Sequence, residues 1–122
     1  MDGLDEVSPI GITVAAHLKP DGAVETFEFT PQDFGLKPAP ADSLIPGDTP
    51  QENAQILRAA ITGDDERRMQ AILPSAGVAL WVAGRVDDIR DGVLLAQRAI
   101  ASGRAEEVLE DFIAYTRSCA TA

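Results

Sequence analysis

Between residues 31 and 50 the chain carries Pro31, Pro38, Pro40, Pro46 and Pro50, together with Gly35 and Gly47. Each proline fixes φ and lacks an amide proton, so no ordinary helix or ladder strand survives such a stretch. It predicts an extended connector over residues 31–48, anchored by Phe34 and Leu36, that divides the chain into two unlike halves.

Upstream of it the pattern alternates. Ile12, Val14, Ala16 and Leu18 fall on one face and Thr13, Ala15, His17 and Lys19 on the other, the period of a half-buried strand. KPDG at 19–22 supplies turn chemistry, with Pro20 presetting φ, Asp21 able to bond the local backbone and Gly22 free to take a positive φ. AVETFEFT then returns as a second strand with Phe27 and Phe29 on one face, so residues 12–30 read as a β-hairpin.

Downstream the spacing is helical. Thr49, Pro50 and Glu52 form a capping box that opens a first helix ending near Gly63. Asp64 or Asp65 caps a second, with Met69, Ile72, Leu73, Ala76, Ala79 and Leu80 at helical spacing and, because Pro74 sits inside it, a kink or break expected near Leu73. A third runs from about Asp88 to Ser102 with Ile89, Val93, Ala96 and Ile100 on one face, and a fourth from about Arg104 to Arg117 with Val108, Leu109, Phe112 and Ile113. Hairpin, connector and helices over 49–118 make an α+β chain. A two-stranded hairpin is marginal alone, so either the helices cover it or a larger sheet completes it.

Composition narrows the function. The chain has 122 residues, 45% hydrophobic, enough for one domain with a core. Its net charge of -10 opposes contact with a phosphate backbone and argues against nucleic acid as a partner. The apolar run at 71–83 is shorter than the roughly 20 residues a membrane span needs, and the acidic start is unlike a signal peptide. Cys119 is the single cysteine, so no intrachain disulfide is available, and a cytoplasmic chain is expected.

Chemistry-bearing motifs are sparse. His17 is the only histidine and sits mid-strand, and neither it nor Cys119 makes a nucleophilic constellation, so no catalytic residue is assigned. No P-loop and no GxGxxG occurs, which leaves no cofactor-binding loop of those kinds. Trp81 reads as a core or interface packing residue, with ligand stacking as the alternative, and Asp87, Asp88 and Asp91 as charges favourable at a helix start. The remaining feature is the acidic opening MDGLDEVSP, where Asp5 and Glu6 are adjacent. Hard carboxylate oxygens suit Mg²⁺, which typically takes one or two of them alongside waters and substrate phosphates.

The order DGLDEVSP, strand, PQDFGL, ENAQILRAAITG, ALWVAG, a DGV helix and AIASGRA resembles the C-terminal third of the anthranilate phosphoribosyltransferases, from Met1 to about Ser118. The resemblance implies an α/β parent domain with a mostly parallel sheet, to which this hairpin adds late strands. It implies transfer of phosphoribosyl from phosphoribosyl pyrophosphate to anthranilate, releasing pyrophosphate, in tryptophan biosynthesis. It also implies that the family's Asp-Glu pair, which holds Mg²⁺ on the donor, falls on Asp5 and Glu6 within a metal-binding loop at 1–9.

The family motif carries His-Gly and a variable residue before Asp-Gly, with Met1 at the variable position. Its glycine-rich phosphate loop, its acceptor contacts and the helical domain through which it forms homodimers are expected upstream of Met1, so the chain is expected to be inactive alone. Ser75, preceded by Pro74, stands where the family shows an asparagine, which leaves that residue's role open. Two other readings are a non-catalytic α+β interaction module and a fragment of a pyrimidine nucleoside phosphorylase-like enzyme.

Overall fold

A computed structural model describes residues 3–120. Met1 and Asp2, the first members of the expected metal-binding loop, lie outside the described residues. Two antiparallel strands, β1 (Thr13–Leu18) and β2 (Val24–Phe29), are followed by short 3-10 turns at Pro31–Phe34 and Ala41–Leu44 and by helices α1 (Pro50–Thr62), α2 (Glu66–Val82), α3 (Ile89–Ala101) and α4 (Arg104–Ala120). The expected order is present, and the connector is more structured than its prolines suggested. Pro31 serves as the first residue of a tight turn whose Thr30 and Asp33 bond each other, and whose Gly35 closes it at φ 73°.

The helix starts are fixed by side chains that replace missing intrahelical acceptors. Thr49 Oγ1 accepts from the Glu52 amide at 3.2 Å and Glu52 Oε2 from the Thr49 amide at 3.0 Å. Asp65 Oδ1 accepts from the amides of Arg67 and Arg68, and Asp88 Oδ1 from that of Arg90 at 2.7 Å. Each such cap is worth about 1 kcal/mol.

The core lies where α2 crosses α3. Phe34, Leu73, Val93 and Ile100 are buried together, with Met69, Ile72 and Ile89 packed around them. The helices approach backbone to backbone at Gly77 and Gly92, since a Cβ on Gly92 would stand 2.6 Å from the Gly77 carbonyl oxygen. Of the kink or break expected near Leu73, no break occurs: α2 runs through Pro74. A proline there removes the bond to the Gln70 carbonyl, and its ring is fully buried.

Two expected apolar faces are turned outward. Ile12, Val14 and Leu18 are exposed, and Thr13, Ala15 and His17 are the half-buried side of β1. The register explains the choice: Ala15 pairs with Phe27 and Thr13 with Phe29, so the β1 residues that share the aromatic face go inward. Rings then run from Trp81 on α2 to His17 (4.7 Å), from Phe27 to Phe29 (5.5 Å) and on to the core residue Phe34 (5.4 Å). On α4, Val108 and Phe112 are exposed while Leu109 and Ile113 are half-buried, and Ala79 of α2 is also exposed. Arg58 ties α1 to α4 through Glu106 and Glu110. Among the described residues no helix is long and apolar enough to cross a membrane.

Candidate functional site

The acidic loop is held at its downstream end by one buried serine. Ser8 is 2% exposed; its hydroxyl accepts from the amide of Gly11 at 2.8 Å and of Ile10 at 3.2 Å. Its own amide donates to Thr13 Oγ1 at 2.8 Å, which fastens the loop to the first residue of β1. The carbonyl of Pro9 accepts from Ala39 at 2.8 Å and fastens it to the connector. Asp5 and Glu6 lie just upstream of this clamp, both exposed. The role of Ser8 had no signal in the sequence, because a lone serine before a proline reads as ordinary loop.

Asp5 and Glu6 line two adjoining recesses. The larger, about 500 Å³, is walled mainly by apolar side chains of the connector, α1 and α2, among them Leu44, Ile56 and Ile72. The smaller, about 310 Å³, lies between Gly3–Ser8 and the start of β1 at Ile12–Val14. Among the described residues that line the larger recess, Arg68 is the one cation. It is already engaged, with Nε 3.5 Å from Asp65 Oδ2 and a donated bond to the Ser43 carbonyl at 3.3 Å. Ser75 lines the same recess as Asp5 and Glu6.

Among the described residues no group of three or more His, Cys, Asp or Glu is placed to hold a metal ion. Asp5 and Glu6 are thus two adjacent, exposed carboxylates with no third such ligand grouped with them among the described residues. His17 is spent on the Trp81 ring, and Cys119 is exposed in the last turn of α4. Trp81 packs against the hairpin, as its alanine-rich setting suggested.

The model of the "Glycosyl transferase family, a/b domain" matches residues 1–106. An anthranilate phosphoribosyltransferase of Myxococcus xanthus is 46% identical over 112 residues, covering 92% of this chain and 33% of its own length. One of Methanobrevibacter smithii is 41% identical over 117 residues, 96% of this chain and 34% of its own. The solved anthranilate phosphoribosyltransferase from Saccharomyces cerevisiae in complex with PRPP and Mg superimposes with a TM-score of 0.80 at 32% identity, over 95% of this chain and 33% of that one. This chain thus spans about a third of the length of the relatives it matches. With a family match over most of the sequence and a shared fold at that identity, the chain belongs to the glycosyl transferase family and corresponds to a C-terminal portion of its α/β domain.

Proposed function

We propose that this chain supplies the metal-binding loop and C-terminal scaffold of an anthranilate phosphoribosyltransferase, a cytoplasmic enzyme of tryptophan biosynthesis. In that reaction the anthranilate nitrogen forms its bond to the ribosyl carbon as the bond from that carbon to pyrophosphate breaks, and the nitrogen gives up a proton. The observation that carries the reading is the adjacent pair Asp5 and Glu6, exposed and lining two recesses, and the resemblance assigns to this pair the family's Asp-Glu role.

The donor chemistry fits Mg²⁺: two hard carboxylates, held by the Ser8 clamp, beside space for water and phosphate ligands. When bound, Mg²⁺ supplies charge neutralisation for the departing pyrophosphate. Asp5 and Glu6 carry opposite charge to the cation and orient it by their place in the loop. Their carboxylates also explain how a chain of net charge -10 accepts a polyanionic substrate, which arrives with its own cation. Phosphate and acceptor contacts belong to the two thirds of the relatives' length that this chain does not match, so the 122-residue chain is expected to show no turnover.

The interaction-module reading needs a folded unit without an apolar patch where a larger sheet would meet it. The exposed Ile12, Val14, Leu18 and Val24 on the hairpin speak against that.

The test joins the remaining two thirds of the Myxococcus xanthus relative to this chain and follows anthranilate consumption with phosphoribosyl pyrophosphate as Mg²⁺ is varied. Turnover is expected in the fusion, and replacing both Asp5 and Glu6 by alanine is expected to lower it by about 10²-fold or more. An unchanged Mg²⁺ profile in the double variant removes the pair from the mechanism. A fusion that cleaves pyrimidine nucleosides with phosphate and leaves anthranilate untouched favours the nucleoside phosphorylase-like alternative.

A further inference from the structure

Asp5 and Glu6 are exposed, so what places their carboxylates is the backbone that follows, and that backbone is pinned at the buried Ser8. Ser8 stands two residues after Glu6 and three after Asp5. Three residues of chain reach no further than about 11 Å, so a displaced Ser8 backbone displaces both acids with it. The pin is the 2.8 Å bond that the Ser8 amide donates to Thr13 Oγ1.

Thr13 is a rigid anchor for that bond. It is the first residue of β1, half-buried, and paired in register with Phe29. The Phe29 ring lies 5.4 Å from that of Phe34, which is 2% exposed in the core. Packing therefore runs from the core through β2 and β1 to the acidic loop. The strand itself does not call for a hydroxyl here, since valine suits a half-buried strand position at least as well as threonine. What the hydroxyl adds is an acceptor for one amide. Ser8 is shielded from water at 2% exposure, and a buried amide that loses its acceptor is costly enough to move the loop.

Thr13, Ser8, Asp5 and Glu6 all line the 310 Å³ recess. We propose that Thr13 is a positioning residue of the acidic loop: its Oγ1 fixes the Ser8 amide and so sets how tightly Asp5 and Glu6 hold a divalent cation. This rests on the metal reading of that pair and adds to it a residue whose part is to hold the loop. Replacing groups that orient metal ligands in this indirect way typically weakens metal binding by about 10- to 100-fold.

The test uses the fusion to the Myxococcus xanthus remainder with Mn²⁺ as the probe. Protein-bound Mn²⁺ is followed by electron paramagnetic resonance, and the metal dependence of turnover is measured alongside. Thr13→Val keeps the shape of the side chain and deletes the acceptor, whereas Thr13→Ser keeps the acceptor and deletes the methyl group. Thr13→Val is expected to raise the half-saturating Mn²⁺ concentration by about 10-fold or more, with kcat at saturating metal within about twofold of the parent's. Thr13→Ser is expected to stay within about twofold on both. In the 122-residue chain the Ser8 amide is expected to exchange about 10-fold faster or more in Thr13→Val alone, while the Leu73 amide keeps its protection in both variants.

An unshifted half-saturation in Thr13→Val overturns the proposal. So does a fall in kcat with metal affinity intact, or lost protection at Leu73, since either would make the effect one of folding. A Thr13→Ser variant as impaired as Thr13→Val also overturns it, because packing of the methyl group would then be the cause. Asp5→Ala combined with Glu6→Ala is run beside them. If that double variant binds Mn²⁺ as the parent does, the metal reading falls and this inference with it; loss in the double variant with none in Thr13→Val removes Thr13 alone.

Discussion

The α2–α3 crossing and the β-hairpin both carry apolar side chains and use them in opposite ways. At the crossing Leu73 is 0% and Val93 2% exposed, and two glycines let the helices meet. In the hairpin Leu18 and Val24 are each more than 60% exposed, and the buried side holds Thr13, Ala15 and His17. The helical layer is satisfied by residues of this chain, and the hairpin is satisfied on one face alone. Apolar patterning thus marks which surface seeks a partner, and the partner need not lie in the same third of the polypeptide.

The comparison breaks most sharply at Leu73. Leu73→Ala removes a fully buried side chain between Phe34, Val93 and Ile100 and leaves a cavity, so urea denaturation is expected to show a loss of about 2–5 kcal/mol. Gly92→Ala comes next. Its Cβ would meet the Gly77 carbonyl oxygen at 2.6 Å and the Gly77 Cα at 3.0 Å, backbone atoms that cannot rotate aside. The helices must separate, at about 1–3 kcal/mol. A melting temperature equal to that of the parent chain would show that the crossing is looser than its geometry.

Much of this layer was legible in the sequence because its determinants are local. Thr49 with Glu52, Asp65 and Asp88 announce helix starts by chemistry within three residues, and Ile89, Val93, Ala96 and Ile100 announce a face by spacing. The hairpin's existence was equally local, through KPDG and alternation. Its inward face was not, because alternation distinguishes two faces without ordering them. The order came from the pairing of Ala15 with Phe27 and from Trp81 of α2 seating on His17, contacts separated by many residues. At Pro74 the local cost is visible in sequence, while the burial that accompanies an unbroken helix is not. At the candidate site, Asp5 and Glu6 stood out as adjacent acids, while the Ser8 clamp that holds them and the Ser75 wall opposite appear only once loop, strand and α2 are assembled.

Between the two regions lies the turn at Pro31–Phe34, which Arg90 of α3 grips through the Asp33 carbonyl at 2.9 Å. The Asp33 carboxyl is held below its ordinary value of 3.8, first by the Thr30 hydroxyl, then by the Thr30 amide; partial desolvation opposes them, and the charge of Arg90 adds a smaller lowering. A carboxyl with a lowered folded pKa contributes stability above its unfolded value and loses it as the pH falls through the folded one. Stability of the parent chain is therefore expected to decline from about pH 4 downward more steeply than that of Asp33→Asn. Parallel acid titration curves would detach the turn from the balance between hairpin and helices.

The smallest effect is expected at Leu18, and its smallness is the point. Leu18→Ala removes as many carbons as Leu73→Ala, from a side chain 67% exposed on the open face of the hairpin. In the 122-residue chain the change in urea stability is expected to stay within about 0.5 kcal/mol. A loss comparable to that at Leu73 would mean that the hairpin's outer face is already covered in solution, for instance by self-association. The near-neutral result would leave Leu18 as apolar surface that has no work to do in this third of the fold, and the contrast between two leucines would then measure how incomplete the sheet is.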